Sequence, residues 1–150
     1  MNLRRANIKD ANDIYKLISY FAKKGLLLQR TLSNIYDNIR DFNVIEVDNE
    51  IVAIAAMHVC WEDFGEIRSI CVKEEHFFKG YGRALVEASV RDAVDVKLSK
   101  LFVLTYQVEF FEKLGFFLVN KKVLPKKIWG ECINCPKFPN CDETAMMKIL

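Results

Sequence analysis

A strand-like stretch, Glu66-Ile67-Arg68-Ser69-Ile70-Cys71-Val72, is followed shortly by Lys79-Gly80-Tyr81-Gly82-Arg83-Ala84-Leu85-Val86, where two glycines open a helical pattern. This strand, glycine turn and helix constrain the chain more than any other feature. Glycines at 80 and 82 remove the Cβ atoms that would hold a ligand away from the backbone, and the first amides of the helix then face whatever sits there. Such a turn suits a phosphate. Two common phosphate motifs nevertheless fail. A P-loop needs Lys followed by Ser or Thr after its last glycine, whereas Gly82 precedes Arg83-Ala84. A dinucleotide fingerprint needs a small residue where Leu85 stands, and it opens on the first strand of a parallel sheet.

The order of elements around the turn points elsewhere. Arg4 to Ile8 reads as a first strand, and Ala11, Ile14, Leu17, Ile18 and Phe21 recur at helical spacing, which predicts a helix over 10–24 stopped by Gly25. Ser33 is the expected N-cap of a short helix carrying Ile35, Tyr36 and Ile39. Strands over 43–47 and 51–60 flank an Asp48-Asn49 turn. A further turn at Asp63-Phe64-Gly65 leads into the strand 66–72, so a meander precedes the glycine segment. In the following helix Leu85, Ala88, Ala93 and Val96 make an apolar face, while Arg83, Glu87, Arg91 and Asp95 make a solvated charged stripe. Strands are expected over 101–105, 116–120 and 144–150, with helix as the alternative for the last, and a short helix over 108–114 is stopped by Gly115.

Length and charge narrow the partners. At 150 residues the chain is expected to form one domain, residues 1–150, with a core that needs no staples. Its 22 basic and 20 acidic residues nearly cancel and form no long basic run, which argues against nucleic acid as the partner. No apolar run reaches the roughly 20 residues needed to cross a bilayer, and Met1 to Asn7 do not read as a signal peptide, so a cytoplasmic location with no membrane partner is expected. Five cysteines in a reducing compartment read as free thiols or metal ligands.

A meander, then strand, glycine turn and helix, then another strand, a short helix and Gly115-Phe116 together resemble the GNAT N-acetyltransferases. Their acetyl-CoA motif, Arg/Gln-x-x-Gly-x-Gly/Ala, aligns with Phe77-Phe78-Lys79-Gly80-Tyr81-Gly82 and departs at its first position, while Phe111-Glu112-Lys113-Leu114-Gly115-Phe116 looks like the family's second motif. Trp61-Glu62-Asp63 before Glu66-Ile67-Arg68-Ser69, Leu104-Thr105-Tyr106-Gln107 before Glu109-Phe110-Phe111, and Leu124-Pro125-Lys126-Lys127-Ile128-Trp129 with its trailing cysteines are similar to short N-acetylglutamate synthases, which begin arginine biosynthesis. The resemblance implies an α+β fold, a mixed and mostly antiparallel sheet flanked by helices. It implies acetyl-CoA as cosubstrate and glutamate as acceptor. Alternatives are the same fold acting on another small amine or a protein N-terminus, or a non-catalytic acyl-CoA or metal-binding regulatory module. Family members often dimerise, so a homodimer is a further expectation.

By that resemblance the backbone of Ile70, Cys71 and Val72 pairs with the pantetheine arm, and Phe77, Phe78, Lys79, Gly80, Tyr81, Gly82, Arg83 and Ala84 hold the pyrophosphate, with Phe111 in the second motif. Acetyl transfer to an amine needs a base and a proton for the departing thiolate. Glu66 is the candidate base, acting through water, with an ion pair to Arg68 as the competing reading and with Glu109 and His58 in reserve. Period-two alternation places Glu66, Arg68 and Ile70 on one face unless a bulge intervenes. Tyr106 is the nearest phenol to serve as the acid, since Phe110 and Phe111 carry no proton to give; the competing readings are an aromatic packed at a strand end and a thiolate that leaves without enzymic help. The two carboxylates of glutamate call for guanidinium forks, for which Arg68 and Arg30 are the candidates, and Lys127 and Trp129 would close the acceptor site. Each of these four also has a surface or packing reading.

Cys132-x2-Cys135-x5-Cys141 supplies three thiols at knuckle-like spacing, one short of a closed zinc site unless Asp142, His58 or His76 completes it. Packed thiols are the favoured reading, and no metal is assigned. Cys60 and Cys71 on apolar strands read as small core residues.

Overall fold

A computed structural model describes residues 1–124 and 142–150. Among the described residues seven strands hydrogen-bond in the order β1-β2-β3-β4-β5-β7-β6, a mixed sheet accompanied by four α-helices. The chain groups into two compact units, Met1–His58 with Ile67–Asp92, and Val59–Glu66 with Ala93–Leu150.

In the first unit β1 (Asn2–Arg5) pairs antiparallel with β2 (Phe42–Val47), which pairs antiparallel with β3 (Glu50–Val59). The expected first strand ends earlier than its apolar pattern suggests. Asn7 accepts from the Lys9 amide at 2.9 Å, and its own amide donates to Asp10 at 2.7 Å, so a capping box starts a helical turn at Ile8. Arg4 then reaches the same carboxylate through two bonds of 2.7 and 3.0 Å. This pair holds Asp10 below the usual carboxylate range.

Helix α1 (Ala11–Lys23) buries Ala11, Ile14, Leu17, Ile18 and Phe21, the stripe its periodicity announces. It stops as expected at Gly25, whose φ of 73° a Cβ would resist. Bonds from Gly25 to Ala22 and from Leu26 to Phe21 close the Schellman end. Helix α2 (Leu32–Asp37) is capped by Thr31 instead of Ser33, because the extended Thr31 backbone aims its hydroxyl at the Asn34 amide, 3.0 Å away. Between β2 and β3, Asp48 and Asn49 both take positive φ, the two-residue hairpin turn expected there.

Two apolar clusters fill this unit. The α1 stripe packs on Ile35, Phe42, Val44, Ile54, Ala56 and Cys71. Leu85 of helix α3 (Tyr81–Asp95) packs on Ile45, Val52, Ala53 and Ala55, with Ile70 and Val72 beside them. The charged stripe of α3 is exposed as expected, but Val96 is not on its apolar face: the helix ends at Asp95 and Val96 lies in the solvent.

In the second unit the first residues of β4 (Phe64–Val72) run parallel to β5 (Lys100–Thr105), with Phe64 opposite Lys100 and Glu66 opposite Phe102. Strand β7 (Thr144–Ile149) lies antiparallel between β5 and the two-residue β6 (Phe117–Leu118), so the last segment is strand and the predicted 116–120 strand is short. Helix α4 (Val108–Glu112) ends near Gly115, where φ is 90° and a Cβ would run into the Lys148 ammonium. That ammonium donates to the Leu114 carbonyl at 2.9 Å, serving the helix end with a positive charge. Phe64, Phe102, Ala145, Leu124 and Cys60 form the core of this unit.

Candidate active site

Everything between β4 and α3 is arranged to present backbone. Lys73 continues the strand by donating to the Val52 carbonyl at 2.8 Å, and a helical turn over Glu74–His76 then reverses the chain. Phe78 and Gly80 take φ of 64° and 83°, and the first helical bond of α3 runs from the Ala84 amide to the Gly80 carbonyl at 3.0 Å. The amides of Tyr81, Gly82 and Arg83 precede that bond, in the turn whose N–H groups find no acceptor within the helix and carry its positive end. Gly80 supplies a backbone angle. Gly82 is helical, so what it supplies is the missing side chain.

Side chains fasten the loop at its base. Lys73 pairs with Glu50 from the β2–β3 hairpin, and Glu74 takes both the Tyr20 hydroxyl and the Lys24 ammonium, the latter at 2.7 Å, from α1. Hydrogen bonds from Lys24 and then Tyr20 hold the Glu74 carboxyl below its usual range, and Lys73 does the same for Glu50. All four acidic and basic groups are wet, so these pairs orient the loop more than they stabilise the fold.

Strand β4 is not regular. Ser69 has φ of 54°, a left-handed residue within a strand, so the period-two count from Glu66 and Arg68 does not carry through to Ile70. Beyond it Cys71 packs in the α1 cluster, while Ile70 and Val72 face the Leu85 cluster. Burial pushes the Cys71 thiol far above its ordinary range, which leaves a core residue with only its backbone to offer.

The turned-out Ser69 meets Arg30. The Arg30 guanidinium is buried and bonds Ser69 Oγ at 3.2 Å and Asn34 Oδ1 at 2.8 Å, with the Phe42 ring 5.0 Å below it. A guanidinium oriented in this way is preorganised to meet an anion. The sequence alone does not single out Asn34, Phe42 or Ser69 as neighbours of this cation. For Asn34 the signal is its position four residues after Arg30, across the start of α2. In the same unit His58 Nδ1 lies 2.6 Å from Asp41 Oδ2.

Glu66 is buried at 6 % exposure in the parallel part of β4, and Arg68 is half-buried. Among the described residues no buried side-chain nitrogen or oxygen lacks a hydrogen-bond partner. In the second unit the exposed Tyr106 donates to Asp142 at 2.7 Å. Phe111 is buried, its ring edge-on to Phe110 and Phe116 at 5.0 and 5.2 Å, so its side chain is a core element. Glu109 is exposed at the start of α4. Lys127, Trp129, Cys132, Cys135 and Cys141 lie outside the described residues. Among those described, no three His, Cys, Asp or Glu are grouped to hold a metal ion, and no helix is long and apolar enough to cross a membrane.

Residues 10–116, from the start of α1 through the second motif, match the profile of the acetyltransferase (GNAT) family. The chain belongs to the GNAT acetyltransferases. An uncharacterized N-acetyltransferase of Chlorobaculum tepidum is 37% identical over 99% of the chain and 96% of its own length. An amino-acid acetyltransferase of Mycobacterium tuberculosis is 33% identical over 86% of the chain and 75% of its own length. Among solved structures, a Mycobacterium tuberculosis protein in complex with CoA and NLQ superposes with a TM-score of 0.84 at 29% identity, covering 100% of this chain and 99% of that one. The N-acetylglutamate synthase of Neisseria gonorrhoeae, complexed with coenzyme A and N-acetyl-glutamate, gives a TM-score of 0.90 at 24% identity over 99% of this chain and 35% of that one, a likeness of fold. The fold expected from the sequence is thus the observed one, and the enzyme is an N-acetyltransferase whose relatives bind coenzyme A.

Proposed function

We propose that this acetyltransferase acts on the α-amine of a free amino acid, with glutamate as the acceptor, in a single domain spanning residues 1–150. The observation that carries the reading is the buried Arg30 guanidinium fixed against the Ser69 turn of β4, on the strand that leads into the coenzyme loop. A cation oriented before any ligand arrives costs little further ordering on binding a carboxylate. The amino-acid acetyltransferase relative supports the same acceptor class.

In this reading the amides of Tyr81, Gly82 and Arg83 take the pyrophosphate, and the backbone of Ile70–Val72 lines the pantetheine arm. Phe77, where relatives carry a polar side chain, does not supply its N–H either, since that amide donates to the Glu74 carbonyl at 3.2 Å. Arg30 and Arg68 take the acceptor's carboxylates; Lys127 and Trp129, the other two acceptor-site candidates, lie outside the described residues. Glu66 removes the ammonium proton through water, freeing the nitrogen lone pair to attack the thioester carbon. As the carbon–sulfur bond breaks, its electron pair leaves on sulfur, the acylated nitrogen sheds its extra proton to solvent, and the thiolate gains one. Tyr106 is the nearest phenol for that step; its hydroxyl donates to Asp142 at 2.7 Å and must leave that carboxylate to serve the sulfur.

Thiol release measured with each free amino acid at millimolar concentration tests the acceptor. Turnover with glutamate well above the other amino acids is expected; turnover with a different amine and none with glutamate would overturn the assignment.

A further inference from the structure

Two residues before Gly80, Phe78 combines features that packing does not account for. Its φ of 64° places a bulky residue in the left-handed region, and its ring is fully exposed, at 104 %. Neither backbone comfort nor burial rewards this arrangement, and uncompensated strain of this kind gathers where a ligand is met. Phe77 is 45 % exposed, and its ring stands edge-on to Phe78, 6.2 Å between centroids at 79°. One ring braces the other. Beside them Lys79 reaches His76 Nδ1 at 3.2 Å, and His76 lies flat against Tyr81, so the neighbouring polar groups are tied to the loop and leave the phenyl faces uncovered.

We propose that Phe78, braced by Phe77, is the platform on which the adenine ring of coenzyme A stacks. The proposal rests on the coenzyme reading of this loop. In coenzyme A a single ribose separates the pyrophosphate from the adenine, and here a single residue, Lys79, separates the glycine that leads into the pyrophosphate amides from an open aromatic face. An aromatic ring recognises any base by its π-face, with no hydrogen bonds required. The first position of the motif, where Arg or Gln would hold phosphate by a side chain, is occupied by Phe77. An apolar surface for the base takes the place of a polar side chain for the phosphate.

Calorimetric titration of the full chain with coenzyme A and with pantetheine 4′-phosphate, which lacks the adenosine half, tests this. Phe78→Ala is expected to weaken coenzyme A about tenfold, in keeping with alanine substitutions at base-stacking rings, and to leave pantetheine 4′-phosphate unchanged. Phe78→Trp is expected to keep the affinity for coenzyme A. Phe78→Gly relaxes the backbone and removes the ring, and is expected to lose as much as Phe78→Ala. If Phe78→Ala weakens both ligands equally, or neither, the platform is refuted. A changed oligomeric state with unchanged coenzyme affinity refutes it in favour of a contact between copies. A wild-type chain that binds neither ligand overturns the coenzyme reading itself.

Discussion

The coenzyme loop and the Arg30 cluster are built from opposite materials. Between Lys73 and Ala84 the groups proposed to bind the pyrophosphate are amides, set by two left-handed residues and a helix start, while Lys73 and Glu74 make wet ion pairs at the base of the loop. Around Arg30 the binding group is a side chain, buried and set by Asn34, Ser69 and the Phe42 ring. In the proposed reading, amides take the pyrophosphate that every acetyl-CoA shares, a task for glycines in the right places. A guanidinium with chosen neighbours takes the part that differs between acceptors. Generality is encoded in backbone, and selectivity in side chains brought from distant positions.

Mutations that separate the two regions test this contrast. The largest effect is expected from Arg30→Ala, which should raise the KM for the amino acid by about 100-fold, the order found on truncating a buried, hydrogen-bonded charge partner. The KM for acetyl-CoA should stay within twofold. Arg30→Lys should not rescue, because an ammonium lacks the planar fork. Equal rises in both KM values in steady-state assays would erase the distinction. Gly80→Val reverses the pattern. A β-branched residue at φ of 83° is strained by about 1–3 kcal/mol, so the KM for acetyl-CoA should rise tenfold or more with that for the acceptor little changed.

Acid sharpens the comparison from the side of stability. Asp10, bonded by Arg4 and by the Asn7 amide, has its folded value depressed below the unfolded one. Its stabilisation is therefore complete above about pH 4, the unfolded carboxyl value, and is lost as pH falls through the lower folded value. Asp10→Asn should flatten that acid limb in urea titrations run from pH 6 to pH 2, at a cost of about 1–2 kcal/mol near neutrality for the lost charge pair with Arg4. Ser69→Ala comes next, with a rise of about fivefold in the acceptor KM for one hydrogen bond fewer to Arg30. Smallest of all is Glu74→Gln, which loosens an exposed pair at the base of the coenzyme loop. It should change the acetyl-CoA KM less than twofold, and that small effect should fade with added salt.

The same contrast governs what could be read from the chain before its structure. Gly80, Gly82 and Gly115 advertise backbone, and the helix starts and stops beside them fall where expected. So does the α1 stripe, whose period is local. Arg30 meeting Ser69 spans 39 residues and depends on a left-handed serine inside a strand, which no local pattern marks. Thr31 outcompetes Ser33 as a cap through its backbone angle alone. Val96 fits the helical period but lies past the end of α3, since spacing records a face and not where the helix stops. Phe111 sits in a motif associated with the coenzyme, yet its burial shows that the motif partly records core packing.

The place of β7 between β5 and β6 has a consequence for how the protein comes into being. On the ribosome, β5 emerges with one edge bare and stays so until residues 144–149 have been made some forty residues later, when Lys148 reaches Leu114 and Leu150 reaches Ser99. An open apolar edge is a template for misassembly. A nascent chain stalled within that interval should therefore recruit holdase chaperones, and one stalled far enough past Leu150 to clear the exit tunnel should not.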